Sequence, residues 1–137
     1  MPSAFLDTNV LLYAAAGQTN EPIKAQIARN VLDEGDFGLS LQVLQEFVVN
    51  AQKPAIGLGA EEVDAWVAEL LEFDCVLPDV DYFLQAIAIS RRYQISYWDG
   101  AIIVAAEYLN SRILYTEDLN HDQLYGSVRA VNPFLTS

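Results

Sequence analysis

Apolar and polar positions alternate along this chain in short blocks, and the blocks predict strands and helices taking turns. Ala4-Phe5-Leu6 is an apolar run that ends in Asp7, and helix-compatible sequence follows from Val10 to Ala16. This reads as a first strand delivering an acid to its C-terminal edge. Gly17-Gln18-Thr19 is a turn; Asn20 is positioned to cap the next helix, Pro22 fits its first turn, and Gly35 ends it. Ile23, Ile27, Val31 and Leu32 supply that helix's apolar stripe, and Lys24 and Arg29 fall on its solvated face. Phe37-Gly38-Leu39-Ser40 reads as a second strand, with Ser40 capping a helix from Leu41 to about Gln52. On that helix Leu44, Phe47, Val48 and Ala51 form the packing stripe, and Gln42, Glu46 and Asn50 form a polar line beside it.

Lys53 to Gly59 is a breaker cluster, read as a loop between helices rather than a domain linker. From Ala60 to Glu72 the positions Val63, Trp66, Val67, Leu70 and Leu71 keep helical spacing, and Cys75-Val76-Leu77 gives a short strand closed by Pro78. Asp79 can cap a helix carrying Val80, Phe83, Leu84, Ile87 and Ala88, which ends near Arg91-Arg92-Tyr93. After Ile95-Ser96-Tyr97-Trp98 a further helix begins, with Asp99 in its first turn and Ile102, Ile103, Ala106 and Leu109 as its stripe. Arg112 to Tyr115 is a buried-type strand that runs into Thr116-Glu117-Asp118, as Phe5-Leu6 runs into Asp7. A last strand spans Val128 to Val131, and Phe134 is expected to pack back onto the domain.

Strands alternating with helices imply a three-layer α/β/α sandwich, its central parallel sheet covered on both faces by right-handed crossovers. The 137 residues suit a single domain, residues 1–137. In such a fold the strand C-termini and the following helix N-termini share one edge, where ligands bind. Asp7, Glu46, Asp99 and Asp118 can therefore face one crevice. Each has a plainer reading alone: Asp7 and Asp99 as helix caps, Glu46 as an exposed acid. Together, four carboxylates repel one another unless a cation is present, and an all-oxygen donor set selects octahedral Mg²⁺ or Mn²⁺ over zinc. One ion would turn bound water into a nucleophile, and a second, ~4 Å away, would steady the leaving oxygen at phosphorus. Asn9 can orient Asp7, and Thr116 can hydrogen-bond an acid; both serve equally as turn-formers.

Composition narrows the chemistry. The net charge of −12 argues against binding nucleic acid through a broad basic face, leaving Arg91, Arg92 and Lys53 as the candidates for contacting a substrate backbone. It does not exclude a nucleic-acid substrate held through metal ions. A hydrophobic share of 53% and a mean hydropathy of +0.18 suggest a full core and an apolar surface kept for a partner. No apolar run approaches the ~20 residues of a membrane span, and the start Met1-Pro2-Ser3 is unlike a signal, so the expectation is a cytoplasmic protein. One cysteine, Cys75, and one histidine, His121, exclude an internal disulfide and a Cys/His zinc site; Cys75 reads as a small buried hydrophobe and His121 as a loop residue.

Phe5-Leu6-Asp7-Thr8-Asn9-Val10-Leu11, Glu46 on its mid-chain helix, Ser96-Tyr97-Trp98-Asp99-Gly100-Ala101 and Thr116-Glu117-Asp118-Leu119 resemble, in order and spacing, the four signature blocks of PIN-domain ribonucleases. The likeness runs over essentially the whole chain and is closest to the compact VapC-type toxins of prokaryotic toxin–antitoxin pairs. It implies Mg²⁺- or Mn²⁺-dependent endonucleolytic cleavage of RNA, homodimers, and inhibition by an antitoxin whose C-terminal segment fills the groove. Asp7, Glu46, Asp99 and Asp118 match the family's four signature acids in turn. Relatives often carry glycine where this chain has Asp122, an extra acid read here as facing solvent.

Two other classes compete. A haloacid-dehalogenase-like phosphatase also opens on a strand and an acid, but it needs a second acid where this chain has Asn9 and a late lysine, and no lysine follows Lys53. A catalytically silent PIN-like binding module would keep the fold without needing the full acid set. A Ser/His/Asp hydrolase lacks a nucleophile elbow.

Overall fold

A computed structural model describes residues 1–135. Six strands form one sheet, β1 (Ala4–Leu6), β2 (Phe37–Ser40), β3 (Cys75–Val76), β4 (Ile113–Tyr115), β5 (Leu124–Tyr125) and β6 (Val128–Val131), in the order β3-β2-β1-β4-β6-β5. Six helices accompany them: α1 (Thr8–Ala16), α2 (Pro22–Glu34), α3 (Leu41–Ala51), α4 (Ala60–Leu70), α5 (Val80–Tyr93) and α6 (Tyr97–Tyr108). The result is the α/β/α architecture that the sequence implied.

The first strand is central because it is apolar on both faces. Ala4, Phe5 and Leu6 are all buried, and β1 pairs in parallel with β2 on one side and β4 on the other, Leu6 opposite Tyr115. The Asp7 N–H extends that pairing by donating to the Tyr115 carbonyl at 3.0 Å, so the acid sits where the ladder ends. The sheet is not wholly parallel: β5 runs antiparallel to β6 across a tight turn at Gly126, whose φ of 62° suits glycine. A two-residue strand carries no readable alternation, so the pattern showed only β6. The connection from β4 to its parallel neighbour β6 accordingly contains no helix.

Two predicted stripes differ in part from the structure. On α2 Val31 and Leu32 pack against the core as expected, but the fully buried residues are Ala25 and Ala28, and Ile23 is 71% exposed. On α5 the core takes Tyr82 and Ala86, and Val80, Phe83 and Leu84 face outward. Both helices carry two apolar faces, and in each the core selects the face with small residues, which allow close approach. Leu71 also falls outside the α4 stripe and is exposed. Asn20 does not cap α2; Glu21 occupies that position without a side-chain bond, Pro22 presetting the first turn. Ser40 and Asp79 do cap, accepting from the N–H groups of Val43 and Tyr82. Cys75 is partly buried, which pushes its thiol pKa up.

Helix α6 is buried without interruption from Gly100 to Ala106, the mark of a helix enclosed on all sides. It lies against α5 at Gly100, where a Cβ would come 2.8 Å from the Ala86 carbonyl oxygen and 3.1 Å from Ser90 Cβ. The Tyr82 hydroxyl closes the same crossing by donating to the Ala101 carbonyl at 2.6 Å. Phe134 packs edge-on against Tyr13 with ring centroids 4.9 Å apart, as the sequence suggested. Among the described residues no helix is long and apolar enough to cross a membrane.

The tight crossing gives a direct test of the packing. Gly100→Ala is expected to destabilise the protein by about 1–3 kcal/mol through overpacking, read as a lower urea midpoint with unchanged slope.

Candidate active site

Asp7 is the deepest of the acids, 5% exposed at the junction of β1 and α1. One carboxylate oxygen caps α1 by accepting from the Thr8 N–H at 2.7 Å, and the other accepts from the Thr116 hydroxyl, also at 2.7 Å. Capping and a role in a cluster are thus compatible. Burial raises its pKa to about 6, against the pull of those two hydrogen bonds, and the charges of Asp118 and Glu46 push the same way.

The Thr116 oxygen that donates to Asp7 also accepts from the Asp118 N–H at 3.1 Å, so one hydroxyl fixes the loop that carries Asp118. On the other side the Thr8 hydroxyl lies 3.1 Å from Glu46 Oε2 as donor, and Gln42 Nε2 donates to Glu46 Oε1 at 2.9 Å. Both oxygens of Glu46 are therefore held. The same Gln42 amide reaches the Trp98 carbonyl at 3.4 Å, tying α3 to the start of α6. There Ser96 caps the helix by accepting from the Asp99 N–H at 3.0 Å. Hydrogen bonds thus link Asp7 after β1, Thr8 on α1, Gln42 and Glu46 on α3 and Thr116 after β4, and α6 joins them through the Trp98 carbonyl.

Electrostatics shows how close the acids are. The pKa of Asp118 is raised, chiefly by burial and then by the charges of Asp99, Glu117 and Glu46. That of Asp99 is raised by burial, opposed by Ser96, with Glu46 adding to the rise. Glu46, Asp99 and Asp118 each raise the pKa of at least one other acid, whereas Asp7 lowers that of Asp118 through a hydrogen bond. The donors are oxygen only, which fits a hard divalent cation. Among the described residues no three of the acids close into a preformed cage. An ion that keeps several of its waters needs only one or two direct carboxylates, so the donor chemistry still suits Mg²⁺ or Mn²⁺.

The family model described as "PIN domain" matches residues 4–127. The chain belongs to the PIN-domain family, a family of nucleases. This PIN domain resembles solved structures at low identity. A toxin–antitoxin complex from Klebsiella pneumoniae aligns with a TM-score of 0.71 and 20% identity, covering 96% of this chain and 98% of that one. VapC20 of Mycobacterium tuberculosis, a sarcin–ricin-loop-cleaving toxin, gives 0.69 and 17%, covering 85% and 90%. FitAB bound to an IR36 DNA fragment gives 0.66 and 21%, covering 98% and 97%. At these identities the likeness establishes the fold. No curated protein matches the chain.

The remaining candidates are dispersed. Asn9 lines a groove beside α1 and makes no side-chain hydrogen bond among the described residues. Arg92 stacks over Tyr93 at 4.9 Å, and among the described residues neither it, Arg91 nor Lys53 pairs with any acid. His121 accepts from the Asn132 N–H at 3.0 Å and lies 3.3 Å from the exposed Asp122. Asp122 has a φ of 67°, the left-handed conformation that glycine adopts at least cost. Sequence reasoning missed the braces on Glu46 from Thr8 and Gln42, although the Gln42–Glu46 spacing of four carried the signal. It also misplaced Lys24, which is half-buried and paired with Glu117 at 3.1 Å rather than simply solvated.

The raised Asp7 pKa fixes a pH dependence. The folded protein keeps a proton on Asp7 to about pH 6, whereas an unfolded chain releases it near 3.8. The native state binds more protons across that interval, so stability falls as pH rises through it, by about 3 kcal/mol in total. Asp7→Asn is expected to remove this loss: in chelator it should unfold at higher urea than the parent at pH 7.5 and show little gain at pH 4. A variant less stable than the parent at pH 7.5 would contradict the assignment.

Proposed function

We propose that this PIN domain is an Mg²⁺- or Mn²⁺-dependent endoribonuclease, the toxin of a toxin–antitoxin pair acting in the cytoplasm. The observation that carries the reading is the raised pKa of Asp7, Asp99 and Asp118, with the Glu46 charge contributing to all three. Groups this crowded are not there for stability, since each raised pKa disfavours the ionised fold near neutral pH. When bound, a hard divalent cation supplies the charge that draws a phosphate toward an acidic pocket and makes water acidic enough to attack it.

The residues supply the rest. One or two of Asp7, Asp99 and Asp118 would hold the cation directly and the others through its waters, while Glu46 is fixed at both oxygens by Thr8 and Gln42. The Thr116 hydroxyl keeps Asp7 and the Asp118 backbone in register, so the strand-end acids do not splay apart under their own repulsion. Asp7, the deepest acid, must lose its proton before it can hold a cation. Cation binding and proton release are therefore coupled there.

The likeness to toxin–antitoxin complexes supports an antitoxin partner for this chain. A homodimer is supported by the outward face of α5, where Val80, Phe83 and Leu84 lie exposed near Leu77 and Trp98. An apolar stripe on each side of one helix is the pattern of an element covered on both sides.

Asp99→Asn is expected to abolish the new RNA ends seen on expressing the wild type while leaving the circular dichroism spectrum intact. Identical cleavage by both proteins would remove Asp99 from the active centre. No metal-dependent cleavage by the wild type would favour the silent module. For the dimer, Phe83→Glu should convert the light-scattering mass from that of two chains to that of one, and a parent already monomeric would dismiss the assigned face.

A further inference from the structure

A groove of about 470 Å³ runs along α1, the helix that Asp7 caps, although none of the four acids lines it. One wall is a single face of α1, Asn9, Leu12, Tyr13 and Ala16, which begins two residues beyond Asp7. The opposite wall includes Ala55 and Ile56 of the loop between α3 and α4, and the α1–α2 turn with Asn20 closes the far end. The lining combines an aromatic ring, two amides, the Thr19 hydroxyl and aliphatic side chains, with one carboxylate, Glu21, at the α1–α2 turn. That mixture matches a nucleobase, which stacks on aromatic faces and offers hydrogen-bonding edges to amides.

The chain has only two lysines, and neither lines the groove itself: Lys24 meets it through the Tyr13 hydroxyl, and Lys53 lies on the loop that supplies Ala55 and Ile56. Lys53 lies on the wall-forming loop, its carbonyl accepting from the N–H groups of Ile56 at 2.9 Å and Gly57 at 2.7 Å. Its side chain is exposed, and among the described residues it has no ion-pair partner. Lys24 is engaged differently: its ammonium lies 3.3 Å from the Tyr13 hydroxyl and 3.1 Å from Glu117 Oε2, and that hydroxyl donates to Glu117 Oε1 at 2.6 Å. With Phe134 packed against the ring, Tyr13 is a fixed platform rather than a mobile side chain. In a chain of net charge −12, an unpaired lysine on the loop of one wall and the fixed ring of Tyr13 on the other suit an occupant with a flat ring and a phosphate turned toward that loop, away from Glu21.

We infer that this groove is the nucleotide subsite next to the scissile phosphate, taking one base of a single-stranded RNA against Tyr13 while Lys53 contacts the adjoining phosphate. The inference rests on the ribonuclease reading and deepens it. Asn20 reads the base edge at the outer end of the groove, and Ile56 sets its width. Lys24 is a positioning residue that acts through Tyr13.

The test uses the full chain carrying Asp99→Asn, which binds without cutting, and a fluorescein-labelled single-stranded RNA ten nucleotides long with randomised sequence. In that background Ile56→Trp, which fills the groove, is expected to weaken anisotropy-measured affinity at least tenfold. Lys53→Ala should weaken it severalfold and flatten the salt dependence by about the share of one phosphate contact, roughly 0.7 in log–log slope. With Asp99 restored, the same two changes should raise KM for RNA and leave kcat within about twofold, melting curves confirming that each variant folds. Lys24→Arg should keep the parent affinity and Lys24→Met should lose it, as positioning through Tyr13 requires. Unchanged RNA affinity in both Ile56→Trp and Lys53→Ala, while the wild type still cuts RNA, overturns the groove assignment and leaves the ribonuclease reading standing; a groove that serves a peptide gives that result. A parent protein that neither binds nor cuts RNA overturns both.

Discussion

The structure turns on the hydroxyl of Thr116 meeting the carboxylate of Asp7 in the interior. Donor and acceptor come from the ends of β4 and β1, adjacent strands in the middle of the sheet, and the 2.7 Å bond forms only because those strands pair in register. A buried carboxylate without partners would cost several kcal/mol. Here one oxygen has the Thr116 hydroxyl and the other has the first N–H of α1, so desolvation is offset, though not cancelled, and Asp7 still titrates near 6. The same hydroxyl accepts from Asp118, and the same helix start sets Thr8 against Glu46. Sheet register therefore determines the acid geometry.

How much of this could be read from the chain depends on which physical signal each residue carries. The acids were legible because three of them punctuate elements: Asp7 and Asp118 follow apolar strands, and Asp99 opens an apolar helix, so topology alone brings them to one edge. Glu46 was legible only as part of a polar line on α3, and its braces by Thr8 and Gln42 needed coordinates. The α5 stripe was misplaced for a definite reason. Periodicity locates apolar faces but cannot choose between two, and the deciding factor was the bare backbone of Gly100 in α6, which lets Ala86 and Tyr82 approach. Lys24 was misplaced because its partner Glu117 lies 93 residues away, beyond any local pattern. Short β5 left no signal at all.

The acidic balance of the chain, awkward for an enzyme of RNA, looks different once the charges are placed. The arginines at the end of α5 are remote in contacts from the acid network, and the helix dipole already accounts for a basic pair in a last turn. The two lysines are differently used: Lys24 neutralises Glu117 and steadies the Tyr13 ring, and Lys53 is exposed on the loop after α3 with no ion-pair partner among the described residues. Long-range attraction to a polyanion is absent in such a protein. Under the proposed reading, affinity would come from contacts made after encounter, through a cation at the acids and stacking along α1, and these would be less sensitive to salt than a basic face.

That division has a consequence for control. A site assembled from mutually repelling carboxylates is least comfortable when empty, and anything positive placed among them relieves the strain on Asp7, Asp99 and Asp118 together. A divalent cation does so, but so would a guanidinium or ammonium group delivered by another protein. An inhibitor that brings a basic side chain to these acids would gain from the same repulsion that favours the metal, and would compete with it for the same oxygens. If the proposed function holds, the repulsion that would suit the pocket to a catalytic cation would also favour a partner bearing one well-placed positive charge.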